Sequence, residues 1–155
     1  MKKIRVGVYN FTCCEGCTIV LIEALNKRYD QWMKKIDFVD FRALKPFKEV
    51  HDTDIALVEG AISTEKEVEK LKHIRAKTKK LVAFGSAACM GFPSNQRNDF
   101  DDRKMKEIMP VLKAFHHLDK VSPLKGIVKV DDEILGCPVD IDVLIKKIDG
   151  YLKNA

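Results

Sequence analysis

The sequence predicts a three-layer α/β/α fold built on a mostly parallel sheet. Two observations along its 155 residues support this fold class. Short apolar, β-branched runs alternate with segments whose apolar residues recur every three or four positions, as amphipathic helices require. The connections between these runs are also short. Strands and helices that alternate in this way form parallel strands through right-handed crossovers, with helices on both faces of the sheet.

The first strand is predicted over residues 4–9, where the run is apolar and lacks a helical period. It ends in a polar, cysteine-rich turn over residues 10–16. A helix follows over residues 18–32, with apolar residues at helical spacing at Ile19, Ile22, Leu25 and Tyr29. The cysteine-rich turn therefore lies between a strand and a helix.

The middle of the chain continues the alternation of strands and helices. Two strands, a helix and a further strand are predicted over residues 36–44, 54–59, 64–78 and 80–84. Ser63 or Thr64 can cap the helix, and Glu67 lies in its first turn, where a carboxylate favours the helix dipole. This helix has the strongest start signal in the sequence.

The last third of the chain is less regular. Residues after Gly85 are predicted to form a loop, and a helix is predicted over residues 101–115, which Pro110 should kink or end. A final cysteine-bearing loop leads into a helix over residues 139–152. We expect a flavodoxin-like topology for the whole, in which binding sites form at the carboxyl ends of the strands.

Length and composition exclude several classes of protein. The chain fits one domain over residues 1–155, and its 46% hydrophobic and 33% charged residues are typical of a globular protein without membrane spans. The apolar stretch within the first ten residues is too short, and too interrupted by charged residues, to be a signal peptide. We therefore expect a cytoplasmic protein. The 28 basic residues are offset by 23 acidic ones, which argues against nucleic acid as a partner.

Five cysteines are the most informative residues of the chain. Cys14 and Cys17 form a Cys-x-x-Cys pair that can bind one metal centre from a tight turn, while Cys89 and Cys137 each add one thiolate from a later segment. Four thiolates are the number that a cubane iron–sulfur cluster requires. Cys13 is the spare cysteine of this set.

Three other interpretations apply to the same cysteines. Each one alone could be a small buried hydrophobic residue, since free cysteine is often buried. The Cys-x-x-Cys pair is also typical of thioredoxin-type redox sites, but such a site gives no reason for the Gly-Cys-Pro segment at Cys137. A structural zinc site could use all four thiolates, and composition does not separate zinc from iron and sulfur.

The motifs and their order resemble the small subunits of [NiFe] hydrogenases. The segments that carry the resemblance are residues 12–17, 59–62, 85–91 with Arg97 and Asn98, and 134–138. The resemblance implies one proximal [4Fe–4S] cluster, and a large-subunit partner that holds the nickel–iron centre. It further implies a short, cytoplasmic multisubunit type, in which separate iron–sulfur or flavin subunits receive the electrons and this chain has no catalytic residue of its own.

The sequence departs from the family pattern at the third ligand. The family usually has Gly-x-Cys-Ala there, whereas this chain places Ala87 at the expected position and Cys89 two residues later. We expect Cys89 to supply the thiolate from a glycine-bounded loop, with Cys13 or a non-cysteine group as the alternative. The adjacent Cys13 and Cys14 also resemble the related subunit of respiratory complex I, so a quinone-linked subunit stays open as a hypothesis.

Two further groups of residues bear on function. Glu15 and Glu59 lie near the cysteine loops and could relay protons, although capping or solvated carboxylates are the simpler interpretation. Apolar residues in the third loop fall at an edge that should be exposed, which suits the contact with a partner: Phe92, Pro93 and Phe100.

Overall fold

The computed structural model describes residues 2–44, 46 and 49–153. Its strands are β1 (Ile4–Asn10), β2 (Ile36–Phe41), β3 (Thr53–Glu59), β4 (Ile62–Thr64), β5 (Thr78–Phe84), β6 (His117–Ser122) and β7 (Asp132–Ile134). Its helices are α1 (Gly16–Lys35), α2 (Glu65–Ala76), α3 (Ser86–Met90), α4 (Asp102–Ala114) and α5 (Ile141–Lys153). Two short 3₁₀ turns lie at Gln96–Asp99 and Leu124–Gly126.

The central sheet has five strands in the order β2-β1-β3-β5-β7, and every neighbouring pair in it is parallel. This arrangement corresponds to the flavodoxin-like strand order and confirms the predicted fold class. A separate antiparallel pair joins β4 to β6 beside the main sheet. The switch in strand order falls between β1 and β3, where the crossovers leave the sheet in opposite directions.

The core lies on both faces of the sheet. Alternate residues of β3 point to opposite faces, so that Ile55 and Leu57 join one buried cluster while Ala56 and Val58 join the other. The first cluster is covered by α1 and α5, which pack against each other, and the second lies under α2 and α3. The layers are therefore helix, sheet and helix, as the alternation of elements predicts.

Local signals account for several element boundaries. The Thr64 hydroxyl accepts a hydrogen bond from the backbone N–H of Glu67 over 3.2 Å, and the Glu67 carboxylate accepts one from the backbone N–H of Thr64 over 3.1 Å. This capping box confirms the predicted start of α2. No helix within the described residues is both long enough and apolar enough to cross a membrane.

Three points differ from the sequence-based expectations. The strands β4, β6 and β7 were not predicted, because two of them have only three residues and β6 is largely polar. The helix α4 continues past Pro110 to Ala114 and so brings Leu112 into a buried position. The residues after Gly85, expected to form a loop, instead form the helix α3, whose five residues are too few to show a period.

Candidate metal centre

Three cysteine-bearing segments leave the sheet at its carboxyl edge. Residues 11–15 follow β1 and lead into α1, Gly85 follows β5, and Gly136 and Cys137 come shortly after β7. Because the strands are parallel, their carboxyl ends meet at the same edge of the sheet. The backbone N–H of Gly85 donates to the carbonyl of Ile134 over 2.8 Å, which holds the last two segments together.

A cavity of about 540 Å³ lies between these segments, within the size range of ligand sites. Four of the five cysteines line it: Cys13, Cys14, Cys17 and Cys137. Cys14 and Cys137 are exposed, Cys13 is half-buried and Cys17 is buried. Apolar walls come from Phe84, Pro93 and Pro138, and polar groups from Ser86, Ser94 and Gln96. Ser94 and Gln96 carry no sequence signal that marks them as part of a site.

Cys89 lies apart from the other four cysteines. Its side chain is fully buried in the second core cluster, and its thiol lies 3.6 Å from the carbonyl oxygen of Ala83 and 3.9 Å from that of Ile134. Burial raises the pKa of Cys89 to about 11, and the charges that act on it are those of Glu133 and Lys125. The cavity is lined by Ala87 instead, so the structure does not bring Cys89 to the other thiols.

Glu59 is the buried carboxylate of this site, with only 2% of its surface exposed. One carboxylate oxygen accepts a hydrogen bond from the backbone N–H of Cys17 over 3.1 Å. The other accepts from the backbone N–H and the hydroxyl of Thr18, over 2.9 and 2.6 Å, and from the side-chain amide of Asn10 over 3.2 Å. Glu59 therefore caps the first turn of α1 from a neighbouring strand, which agrees with the capping interpretation.

Two backbone positions shape the cavity. Glu15, which precedes α1, has φ of 61° and makes the tight turn between Cys14 and the helix. Gly85 has φ of +91°, and a Cβ atom added there would lie 2.6 Å from the thiol sulfur of Cys17. Glycine is required at this position, because any side chain would occupy the space of the Cys17 thiol.

The thiols that line the cavity also influence one another. Burial raises the pKa of Cys17 to about 12, and the charges of Glu59, Cys137 and Cys14 add to the increase. Burial likewise raises the pKa of Cys13 to about 11, with Glu59, Glu15 and Cys14 as further contributors. In the metal-free chain at neutral pH these two thiols are protonated, so binding of a metal must release their protons.

The donor chemistry of the cavity fits an iron–sulfur cluster, since thiolates are the ligands that such clusters use. The four thiols line the walls without being gathered around one point, and among the described residues no group of three or more His, Cys, Asp or Glu side chains lies in the arrangement of a metal site. All five cysteines are free thiols. The fit therefore rests on the number and type of donors that share the cavity.

Comparisons with characterised proteins agree with this arrangement. The chain is 29% identical to NAD-reducing hydrogenase HoxS subunit delta of Cupriavidus necator, over 98% of this chain and 80% of that protein. It is 26% identical to an F420-non-reducing hydrogenase subunit of Methanothermobacter marburgensis, over 99% of this chain and 54% of that protein. The chain thus spans about half the length of that archaeal relative.

A solved structure shows the same fold. A chain of the NAD⁺-reducing [NiFe]-hydrogenase in the H₂-reduced state superimposes with a TM-score of 0.86 at 26% identity, over 99% of this chain and 93% of that chain. The resemblance noted from the motifs is thereby confirmed. The model of the family described as NADH ubiquinone oxidoreductase, 20 Kd subunit, matches residues 14–151, and the chain belongs to that family.

Proposed function

We propose that this chain is the electron-transfer small subunit of a cytoplasmic multisubunit [NiFe] hydrogenase and carries one proximal [4Fe–4S] cluster. The observation that carries the proposal is that four thiols share one cavity at the carboxyl edge of the sheet. The matched relatives named as hydrogenase subunits support the same assignment.

The residues of the cavity have distinct roles in this proposal. Cys14, Cys17 and Cys137 supply three thiolates. The fourth comes from Cys13 on the cavity wall or from Cys89, which lies outside the cavity. When bound, the cluster supplies reversible one-electron chemistry, at a potential set by hydrogen bonds and solvent access around its sulfurs. Glu59 holds the first turn of α1, and with it Cys17, in position through its hydrogen bonds to the backbone.

The apolar walls of the cavity also affect the reduction potential of the proposed cluster. Phe84, Pro93 and Pro138 line the cavity and reduce the contact of the thiol sulfurs with water. Lower solvent access at such sulfurs makes the charged, reduced state harder to reach, which lowers the reduction potential. In this proposal the chain tunes an electron carrier, and the acid, base and metal chemistry of hydrogen turnover belongs to a partner chain.

The partner that we propose is a large subunit with the nickel–iron centre. Large apolar side chains are exposed beside segments that line the cavity: Ile19, Met90, Phe92 and Leu135. Exposed apolar groups of this kind near a site are typical of a surface that another chain covers. Separate iron–sulfur or flavin subunits would receive the electrons in turn.

The first test is to purify the full chain anaerobically with the proteins that accompany it. Iron, sulfide, zinc and nickel are measured per chain, and EPR spectra are recorded after reduction with dithionite. About four irons and four sulfides per chain, a reduced-cluster signal and a nickel-containing partner are expected. Stoichiometric zinc without iron would instead identify a structural zinc module, and the proposal would be abandoned.

A quinone-linked subunit is the second candidate, because the family description refers to NADH ubiquinone oxidoreductase. This candidate predicts the same cluster in a complex that contains no nickel. Nickel analysis of the purified complex therefore separates the two, since only a hydrogenase partner requires the metal. Reduction of a quinone analogue by the nickel-free complex would favour this second assignment.

A further inference from the structure

We infer that Cys13, and not Cys89, completes the thiolate set of the cavity together with Cys14, Cys17 and Cys137. This inference rests on the proposed function, because it concerns ligands of the same cluster. It changes the expected role of two residues. Cys13 becomes a ligand, while Cys89 becomes a core residue of α3 that contacts no metal.

Helix geometry explains why Cys89 does not reach the cavity. Ala87 lines the cavity, and Cys89 follows it by two positions on the same helix, α3. Each residue of an α-helix turns the chain by about 100°, so residues two apart point to nearly opposite sides. When Ala87 faces the cavity, Cys89 faces the second core cluster, where it is fully buried.

The start of the helix α3 is also fixed to β7 and to the residues that follow it. The backbone N–H of Gly85 donates to the carbonyl of Ile134 and that of Ser86 to the carbonyl of Gly136, each over 2.8 Å. Rotation of the helix to present Cys89 would break these bonds and draw a buried side chain out of the core. The glycine-bounded segment is therefore not free to move the thiol.

Cys13, by contrast, is already held on the cavity wall. The preceding residue, Thr12, pairs with Ala61 through two backbone hydrogen bonds of 3.1 and 3.0 Å, which fix the approach of the chain. The left-handed turn at Glu15 then returns the backbone to α1, so that Cys13, Cys14 and Cys17 line one cavity from a stretch of five residues. The thiol of Cys13 therefore shares the cavity with the other three thiols, which Cys89 does not.

Non-cysteine donors on the cavity wall are weaker candidates for the fourth ligand. Both oxygens of Glu59 already accept hydrogen bonds from the start of α1 and from Asn10. Ser86 lines the cavity with a hydroxyl, which binds iron of such clusters less well than the softer thiolate. Cys13 is therefore the donor that best matches the other three.

Three single variants of the full chain, purified anaerobically with their partners, test this inference. Cys14→Ala is the reference for loss of a ligand, and Cys13→Ala and Cys89→Ala are the two variants compared. Cys89→Ala should keep about four irons per chain and the EPR spectrum of the unmodified protein. Cys13→Ala should drop to about three irons and show the spectrum of an altered cluster, since one iron site has lost its thiolate.

A second measurement on the unmodified chain avoids dependence on the folding of a variant. Thiols are alkylated with iodoacetamide before and after removal of iron by a chelator, and each cysteine is located by mass spectrometry. Cys13 should be protected in the loaded chain and modified after iron removal. Cys89 should resist modification in both folded samples and react only after denaturation.

Failure of the inference and failure of the proposed function give different results. Four irons and an unchanged spectrum in Cys13→Ala, or alkylation of Cys13 in the loaded chain, overturn the inference while Cys14→Ala still loses the cluster. Loss of the cluster in Cys89→Ala alone, with normal circular dichroism, also overturns it. Absence of iron from the unmodified chain, or an unaffected cluster in Cys14→Ala, overturns the proposed function as well.

Discussion

The carboxylate of Glu59 accepts a hydrogen bond from the backbone N–H of Cys17 over 3.1 Å, so the end of β3 and the start of α1 are tied together at the cavity. This relationship places a buried negative charge next to the thiols. It also supplies an acceptor to a helix terminus that has no side-chain cap of its own. The same carboxylate therefore supports both the fold and the candidate metal centre.

Replacement Glu59→Gln should lower the free energy of unfolding by about 1–3 kcal/mol. Only one of the two side-chain oxygens remains, so the amide NH₂ must face a backbone N–H or a hydroxyl that needs an acceptor. The measurement is urea denaturation followed by circular dichroism. Removal of the buried charge should also raise the reduction potential of the proposed cluster.

The matched control is Glu107→Gln on α4. Glu107 is exposed and pairs with Arg103, which is exposed as well, over 3.3 Å. Exposed pairs of this kind contribute little, so the change in stability should stay within about 0.5 kcal/mol. Equal effects of the two substitutions would contradict the capping role of Glu59.

Replacement Gly85→Ala should destabilise the chain and disturb the Cys17 thiol. The backbone at Gly85 has φ of +91°, and the added Cβ would lie 2.6 Å from the sulfur of Cys17. Strain at such a backbone position costs about 1–3 kcal/mol, before the clash is included. The free energy of unfolding in urea and the iron content of the purified chain should both fall.

Gly150→Ala is the control for this substitution. Gly150 lies within α5, and a Cβ added there meets no heavy atom within 4 Å. Alanine favours helix more than glycine does, so the free energy of unfolding should rise by about 0.5–1 kcal/mol. The free energy of unfolding should therefore fall for Gly85→Ala and rise for Gly150→Ala. A fall for both variants would contradict the contact with Cys17 as the cause of the loss at Gly85.

Acid should destabilise the chain partly through Asp40 of β2. Burial favours the neutral form of this carboxyl, but hydrogen bonds from the hydroxyl of Tyr9 and from the backbone and ring of His51 outweigh it and lower the pKa of Asp40. A lowered pKa in the folded state means that stability is present above the unfolded pKa of about 4 and is lost as the pH falls through the folded value.

The test compares Asp40→Asn with Asp37→Asn across a pH series. Asp37 lies on the same strand but is exposed, whereas Asp40 is 3% exposed. Asp40→Asn should be less stable than the unmodified chain at pH 7 and should lose less stability between about pH 4 and pH 2. Asp37→Asn should follow the unmodified chain; a parallel acid slope in all three would exclude the contribution of Asp40.

The exposed apolar surface gives a prediction about assembly. Phe92 is 52% exposed and adjoins Pro93 on the cavity wall. Phe92→Asp should therefore weaken binding to the proposed large subunit at least about tenfold, the effect of losing about 1.4 kcal/mol. Binding is measured by co-purification with the proposed nickel-containing partner. Phe115→Asp, at the 69% exposed residue after α4, should leave binding unchanged. Similar losses from both would point to general destabilisation.

Local patterns in the sequence were sufficient for the main strands and helices. The strands β1, β3 and β5 each contain a short apolar run without a helical period, whereas α1 and α5 carry apolar residues at helical spacing. These local patterns identify both kinds of element. The start of α2 is also predictable from the sequence, because Thr64 and Glu67 lie at the spacing of a capping box. The Cys-x-x-Cys pair can likewise be identified from neighbouring positions in the sequence.

Short-range spacing of residues is enough to predict the fold class and a thiol-rich site. Which thiols share a cavity depends instead on contacts between distant parts of the chain. α3 is too short for its period to be read, and the face that Cys89 presents depends on bonds from Gly85 and Ser86 to residues near β7. Long-range hydrogen bonds and burial place Cys13 on the cavity wall and Cys89 in the core, and no local pattern encodes that difference.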